Sequence, residues 1–123
     1  MQNDWHKNSQ ILFIASYPPR ACGIATYSKD LVDALKEKFD ASFSIKVCAV
    51  EEKNYGSSHQ YPDEVIETLQ ANDLAAYERL AQNINLDDSI KMVVVQHEFG
   101  LFGGDYGEYL LQLLYALEKP LSI

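Results

Sequence analysis

Two short, uninterrupted apolar runs, at residues 11–15 and 92–95, constrain the fold of this chain more than any other feature. Runs of this length and composition are typical of strands that are buried in a parallel sheet, and the β-branched run at 92–95 indicates burial on both faces. The longer segments between and after them carry apolar residues at spacings of three and four, which is the helical period. This alternation predicts an α/β domain built from βαβ units.

The predicted sheet has four strands and the start of a fifth. The strands are predicted at residues 11–15, 43–50, 64–69 and 92–95, and residues 121–123 begin another. A strand of three residues is shorter than the usual five or six. The sequence therefore leads us to expect one domain over residues 1–123 that is the first part of a longer protein.

Three helices are predicted from their apolar stripes. The first begins at Gly23 and ends near Lys38, the second is capped by Asn72 or Asp73 and stops near Asn85, and the third ends before Pro120. The stripes comprise Ile24, Tyr27, Leu31, Leu35 and Phe39, then Leu74, Tyr77, Leu80, Ala81 and Ile84, then Leu110, Leu113, Leu114 and Leu117. Their spacing places Tyr27 and Tyr77 in the core.

The charge balance bears on the class of partner. Ten Lys and Arg stand against eighteen Asp and Glu, so the net charge is −8 over 123 residues. This charge repels phosphate backbones and anionic membranes, so neither nucleic acid nor a membrane surface is an expected partner. The acidic stretch from Glu51 to Asp88 is interpreted as a solvated face. No apolar run approaches the roughly 18–20 residues of a membrane span, and the polar start is no signal peptide, so we expect a cytoplasmic protein without a transmembrane segment.

The cysteines and two of the histidines carry no clear chemistry. Cys22 and Cys48 form neither a CxxC motif nor a cluster with histidines, so we expect reduced thiols, no metal and no cofactor. A phosphatase-type loop would pair Cys22 with an Arg six positions later, where this chain has Ser28. His6 and His59 lie in polar segments and are interpreted as bystanders.

The first candidate site is the loop at residues 18–26, between the first strand and the first helix. The N–H groups at a helix start favour anions, and Gly23 lets a phosphate approach the backbone. Arg20 adds a forked pair of donors. The sequence leaves two interpretations open, namely a phosphate site or a plain βα turn in which Gly23 is only a cap.

The second candidate site is His97 and Glu98, which follow the strand at 92–95. Ligands of open α/β sheets bind at the carboxyl ends of the strands, where these two side chains can bond sugar hydroxyls or move a proton. Four glycines follow within residues 99–107. The alternative is a histidine bonded to backbone and glycines that serve a tight turn.

Both segments resemble motifs of one family. Residues 17–27, YPPRACGIATY, resemble the Pro-Pro-Arg-x-Cys-Gly-Ile-Ala-Thr-Phe loop of a branch of the glycosyltransferase family 4 enzymes. Residues 94–104, VVQHEFGLFGG, are similar to that branch's Gln-His-Glu-Phe-Gly-Ile-Phe-Gly-Gly run. Residues 73–85 also resemble its intervening helix, so the similarity extends over most of the chain.

The resemblance implies a GT-B enzyme, with two Rossmann-like domains on either side of a cleft. This chain would be part of the N-terminal, acceptor-side domain of a metal-independent retaining transferase. The resemblance carries donor-diphosphate binding onto Gly23 and Ile24, alongside Arg20, and places His97 and Glu98 in the cleft as catalytic or acceptor-binding residues. The implied ligands are a nucleotide-sugar donor and a carbohydrate acceptor.

The resemblance also marks what is missing. The family's donor-binding carboxylates belong to the C-terminal domain, so we expect the 123-residue chain alone to lack transferase activity and to self-associate through an exposed sheet edge. The alternative from a different class is a free-standing α/β module that holds a phosphate or sugar at Gly23 without catalysis.

Overall fold

The computed structural model describes residues 8–19, 23–39, 42–52, 60–96 and 100–123. Its strands are β1 (Gln10–Ala15), β2 (Ser44–Glu51), β3 (Val65–Gln70), β4 (Ile90–Val95) and β5 (Leu121–Ser122). Its helices are α1 (Gly23–Phe39), α2 (Leu74–Leu86) and α3 (Tyr109–Ala116). The predicted α/β class is confirmed, and each strand and helix lies within one or two residues of its predicted position.

The five strands form one parallel sheet in the order β3-β2-β1-β4-β5. From the central β1 the chain adds β2 and β3 on one side, then crosses through α2 and adds β4 and β5 on the other. The direction of winding therefore reverses between β1 and β4, as in Rossmann-like folds, and ligands of such sheets bind at this reversal.

The two faces of the sheet carry separate cores. Helix α1 covers one face, where Val32 packs on Phe13 and Val47. Helices α2 and α3 cover the other, where Tyr77 and Leu113 pack in the same buried cluster as the strand residues that point to that side. Those strand residues are Leu12, Ile14, Cys48, Val50, Leu69, Ile90, Val93 and Val95. Because successive side chains alternate between the faces, strands β1 to β4 contribute to both cores, whereas the two residues of β5 are exposed.

One prediction about local environment was wrong, and a second was right only in the position of the residue. Strand β4 is not buried on both faces, because Met92 and Val94 are only half-buried while Val93 and Val95 are fully buried. The reason is that α1 lies over the β1–β2 side of the sheet and covers β4 less. Asp73 precedes α2, but its carboxylate makes no capping bond and instead pairs with Arg79 at 3.1 Å.

The acidic stretch is not a uniformly solvated face. Glu51 and Glu64 are buried, with 6% and 8% of their surfaces exposed. The carboxylate of Glu51 accepts hydrogen bonds from Tyr61 and Gln70, each at 2.6 Å. Both buried carboxylates are tolerated because polar partners replace the lost water.

Candidate functional site

The two candidate segments leave the sheet side by side. Ile14 of β1 is in register with Val95 of β4, and the backbone N–H of Gln96 donates to the carbonyl of Ile14 at 3.0 Å. The chain after β1 leads to α1, and the chain after β4 leads to the glycine-rich segment. Because both strands end at the point where the winding reverses, their carboxyl ends form the candidate site.

Three of the five predicted site residues, Arg20, His97 and Glu98, lie outside the described residues, as does Cys22. The structure therefore positions only the residues that flank them. Gln96 immediately precedes His97, and Gly23 follows the loop that carries Arg20. Cys48, the other cysteine, is a free thiol buried in β2, and burial raises its pKa.

Gly23 and Ile24, the remaining predicted site residues, begin α1 at the surface. A Cβ atom added at Gly23 would meet no atom of the described residues within 4 Å, and the φ angle of Gly23 is not positive. Neither packing against the described residues nor backbone conformation therefore requires glycine at this position. The first N–H groups of a helix have no acceptor within the helix, so this end of α1 favours an anion.

The first turns of α1 contradict the predicted apolar stripe. Ile24 and Tyr27 are 42% and 59% exposed, so Tyr27 does not belong to the core as predicted, whereas Tyr77 is fully buried as predicted. The buried residues of α1 are instead Ala25, Ser28 and Val32. Helical spacing alone did not distinguish this side of α1 from the stripe that includes Ile24 and Tyr27.

Ser28 connects α1 to the end of β4. Its side chain is 1% exposed, and its Oγ lies 2.8 Å from Oε1 of Gln96 and 3.0 Å from the carbonyl oxygen of Ile24. In the sequence, Ser28 was noted only because it occupies the position at which a phosphatase-type loop would have its arginine. A polar residue between buried positions Ala25 and Val32 was the signal that could have indicated an internal partner.

The stem of the first loop is held by a buried carboxylate. The hydroxyl of Tyr17 donates to Oε2 of Glu64 at 2.7 Å, and the ammonium groups of Lys29 and Lys36 lie 3.2 and 3.7 Å from the Glu64 carboxylate. Burial alone raises the pKa of Glu64, but the bonds from Tyr17, the backbone and Lys29 and the charge of Lys36 outweigh it and lower the pKa to about 2. Glu64 therefore stays ionised and holds Tyr17 to α1.

The second segment is buried at residues 101–103. Leu101 and Phe102 are buried, and the hydroxyl of buried Tyr77 accepts from the N–H of Gly103 at 3.1 Å while it donates to the carbonyl of Ala71 at 2.7 Å. A Cβ at Gly103 would lie 1.9 Å from that carbonyl oxygen. Gly103 is therefore required by the close contact with the turn before α2.

The other glycines of this segment form its turns. Gly100, Gly104 and Gly107 have φ angles of 81°, 91° and 79°, a conformation that favours glycine. The carboxylate of Glu108 accepts from the N–H groups of Asp105 and Tyr106 at 3.3 and 2.8 Å, and these bonds lower the pKa of Glu108. The turn interpretation of these glycines is thus supported.

Neither of two surface cavities among the described residues is lined by Gln96 or by the start of α1. The smaller, of about 170 Å³, lies between β3 and α2, where Gln70, Asp73 and Arg79 line it. The larger, of about 220 Å³, lies at the start of β2, where Lys36, Lys46, Asp63 and Glu64 line it together with Phe43. The start of a parallel strand is the opposite edge of the sheet from Gln96. Within the described ranges, no three His, Cys, Asp or Glu residues are grouped to hold a metal, and none of the helices could span a membrane.

Comparison with known proteins adds no relative. No protein-family model, curated protein or solved structure matches the chain.

Proposed function

We propose that this chain is the acceptor-side part of a GT-B glycosyltransferase, in which the start of α1 contacts the diphosphate of a nucleotide-sugar donor. The observation that carries the proposal is the meeting of both motif segments at the carboxyl ends of β1 and β4, where the winding reverses. A ligand at this reversal would contact both segments at once. The fold by itself is shared by many functions, so the proposal depends on the motifs.

The exposure of Gly23 supports a role in ligand binding. Gly103 is explained by packing, whereas at Gly23 a side chain would meet open space. A glycine that the fold does not require is expected where a ligand approaches the backbone. The backbone N–H groups of Gly23 and Ile24 would then bond the phosphate oxygens, and Arg20 would add a bidentate contact. Preorganised donors of this kind stabilise negative charge on a departing diphosphate.

The first test is titration of ¹⁵N-labelled protein with inorganic pyrophosphate and with UDP. We expect the amide resonances of Gly23 and Ile24 to shift, and Gly23→Val to abolish the shift because its side chain stands between phosphate and amides. The matched control is Ala34→Val, which adds a β-branched residue at an exposed position of the same helix. Absence of any shift in the wild-type protein at about 10 mM ligand, well above a weak millimolar Kd, would end the proposal.

The measured affinity separates the two classes of function. A free-standing binding module would hold its ligand with a Kd in the micromolar range, about −8 kcal/mol, whereas half of a two-domain site would bind in the millimolar range, about −4 kcal/mol. We expect the weaker value. Sugar transfer is tested on the protein purified from its own cells, where His97→Ala should lower turnover without a large change in Tm. A large loss of stability would instead assign His97 a structural role.

A further inference from the structure

The hydroxyl of Ser28 lies within hydrogen-bond distance of two oxygen atoms, Oε1 of Gln96 at 2.8 Å and the carbonyl of Ile24 at 3.0 Å. A serine hydroxyl carries one proton and can donate to only one of them at a time. Two acceptors that share one donor leave one of the contacts without a proton. Only 1% of the Ser28 surface is exposed, so water cannot supply the missing proton and the contact between the two oxygen atoms costs free energy.

Rotation of the Gln96 amide by half a turn removes this conflict. The amide oxygen and nitrogen are nearly equal in size, so the exchange changes no packing. Nε2 of Gln96 then donates to Oγ of Ser28, and Oγ donates to the carbonyl of Ile24. Gln96 is partly exposed at the end of β4. After the rotation the amide atom that does not face Ser28 is the oxygen.

We propose that Gln96, Ser28 and Ile24 form a directed hydrogen-bond relay that fixes the first turn of α1 against the end of β4. Ser28 is thereby a positioning residue, since it acts on the proposed phosphate-binding turn only through Ile24. The relay also presents Oε1 of Gln96 as an acceptor at the carboxyl ends of the strands, which suits a hydroxyl donor such as a sugar. The positioning role rests on the proposed function, whereas the relay itself does not.

The relay is tested without any ligand by NMR of the Gln96 side-chain amide. We expect nuclear Overhauser contacts from the Gln96 Hε2 protons to the Ser28 Hβ protons. Exchange of one Hε2 proton with water should be slower by a factor of about two to ten in the wild type than in Ser28→Ala, as one ordinary hydrogen bond allows. Equal exchange in the two proteins and no contact to Ser28 would overturn the relay.

The matched control is Ser89→Ala, at the start of β4. Like Ser28, Ser89 donates its hydroxyl to a nearby oxygen, in this case of the Asp87 carboxylate. Ser89 precedes β4 and therefore lies at the opposite end of the strands from Gln96. Both variants lose one oxygen atom, so both are expected to fold. Slower Hε2 exchange should persist in Ser89→Ala and be lost in Ser28→Ala.

The positioning role is tested with inorganic pyrophosphate. We expect Ser28→Ala to weaken pyrophosphate binding about three- to tenfold because the turn is no longer preorganised, while Ser89→Ala leaves the affinity unchanged. Equal affinity of wild type and Ser28→Ala would overturn the positioning role. Failure of the proposed function is distinguishable, because then the wild type itself does not bind although the Gln96 amide still reports the relay.

Discussion

The two motif segments meet at one edge of the sheet but are held in different ways. The segment after β4 is fixed at its centre by buried Leu101 and Phe102, by the contact of Gly103 with Ala71 and by Tyr77. The segment after β1 is held at its stem, through Tyr17, while Gly23 at the start of α1 is open. The glycines of the two segments are therefore explained differently, Gly103 by internal packing and Gly23 by its accessibility.

The largest effect is expected for Gly103→Ala. Its Cβ would lie 1.9 Å from the Ala71 carbonyl oxygen and 2.7 Å from the ring of Tyr109, so backbone must move. We expect a loss of about 3 kcal/mol or more in the free energy of unfolding, at the upper end of overpacking costs. Urea denaturation measures it, with Gly23→Ala as the matched control.

Gly23→Ala is expected to change stability by less than about 1 kcal/mol, and in the stabilising direction, because alanine restricts the unfolded chain. If Gly103→Ala and Gly23→Ala lowered the free energy of unfolding equally, packing would not distinguish Gly103 from Gly23.

The next effect concerns the stem of the first segment. Glu64→Gln removes the charge that Lys29 and Lys36 face. We expect the free energy of unfolding to fall by about 1.5–3 kcal/mol at pH 7, the range for hydrogen bonds to charged groups. Thermal denaturation of both proteins at several pH values measures the difference.

The pH dependence of this difference has a definite sign. The pKa of Glu64 falls from the ordinary 4.5 to about 2 in the folded protein. A lowered pKa gives stability that is fully present above about 4.5 and is lost as the pH falls towards 2. The advantage of wild type over Glu64→Gln should therefore shrink between pH 5 and 2, and a constant gap would contradict the assignment. Asp88→Asn, an exposed acidic position, is the control.

A smaller effect is expected for Tyr77→Phe, which removes the hydroxyl that joins Ala71 to Gly103. Two buried backbone groups lose a hydrogen-bond partner, so we expect the free energy of unfolding to fall by about 1–3 kcal/mol. Hydrogen exchange of the Gly103 amide should also become faster. Tyr115→Phe, at a residue that is 86% exposed, should change neither quantity. An unchanged Gly103 exchange rate would show that Tyr77 does not hold the segment.

Much of the fold could be predicted from local patterns. The apolar run at residues 11–15 and the helical stripe of α2 report burial that repeats with the period of a strand or a helix, so they fix the type of element. The same reasoning failed at Tyr27, because apolar spacing does not tell which turn of a helix has a partner to pack against. The two candidate segments could be predicted from their positions after predicted strands, and the family resemblance then suggested a ligand for them.

The sequence by itself determined the alternation of strands and helices, because the periodicity of apolar residues is a local property. Only the tertiary structure decided that β1 and β4 are neighbours, that Glu64 is buried and that Ser28 meets Gln96. It also distinguished Gly103 from Gly23. These outcomes depend on contacts between residues far apart in the chain, and the cost of burying a polar group or of adding a side chain is set by the partner it meets there.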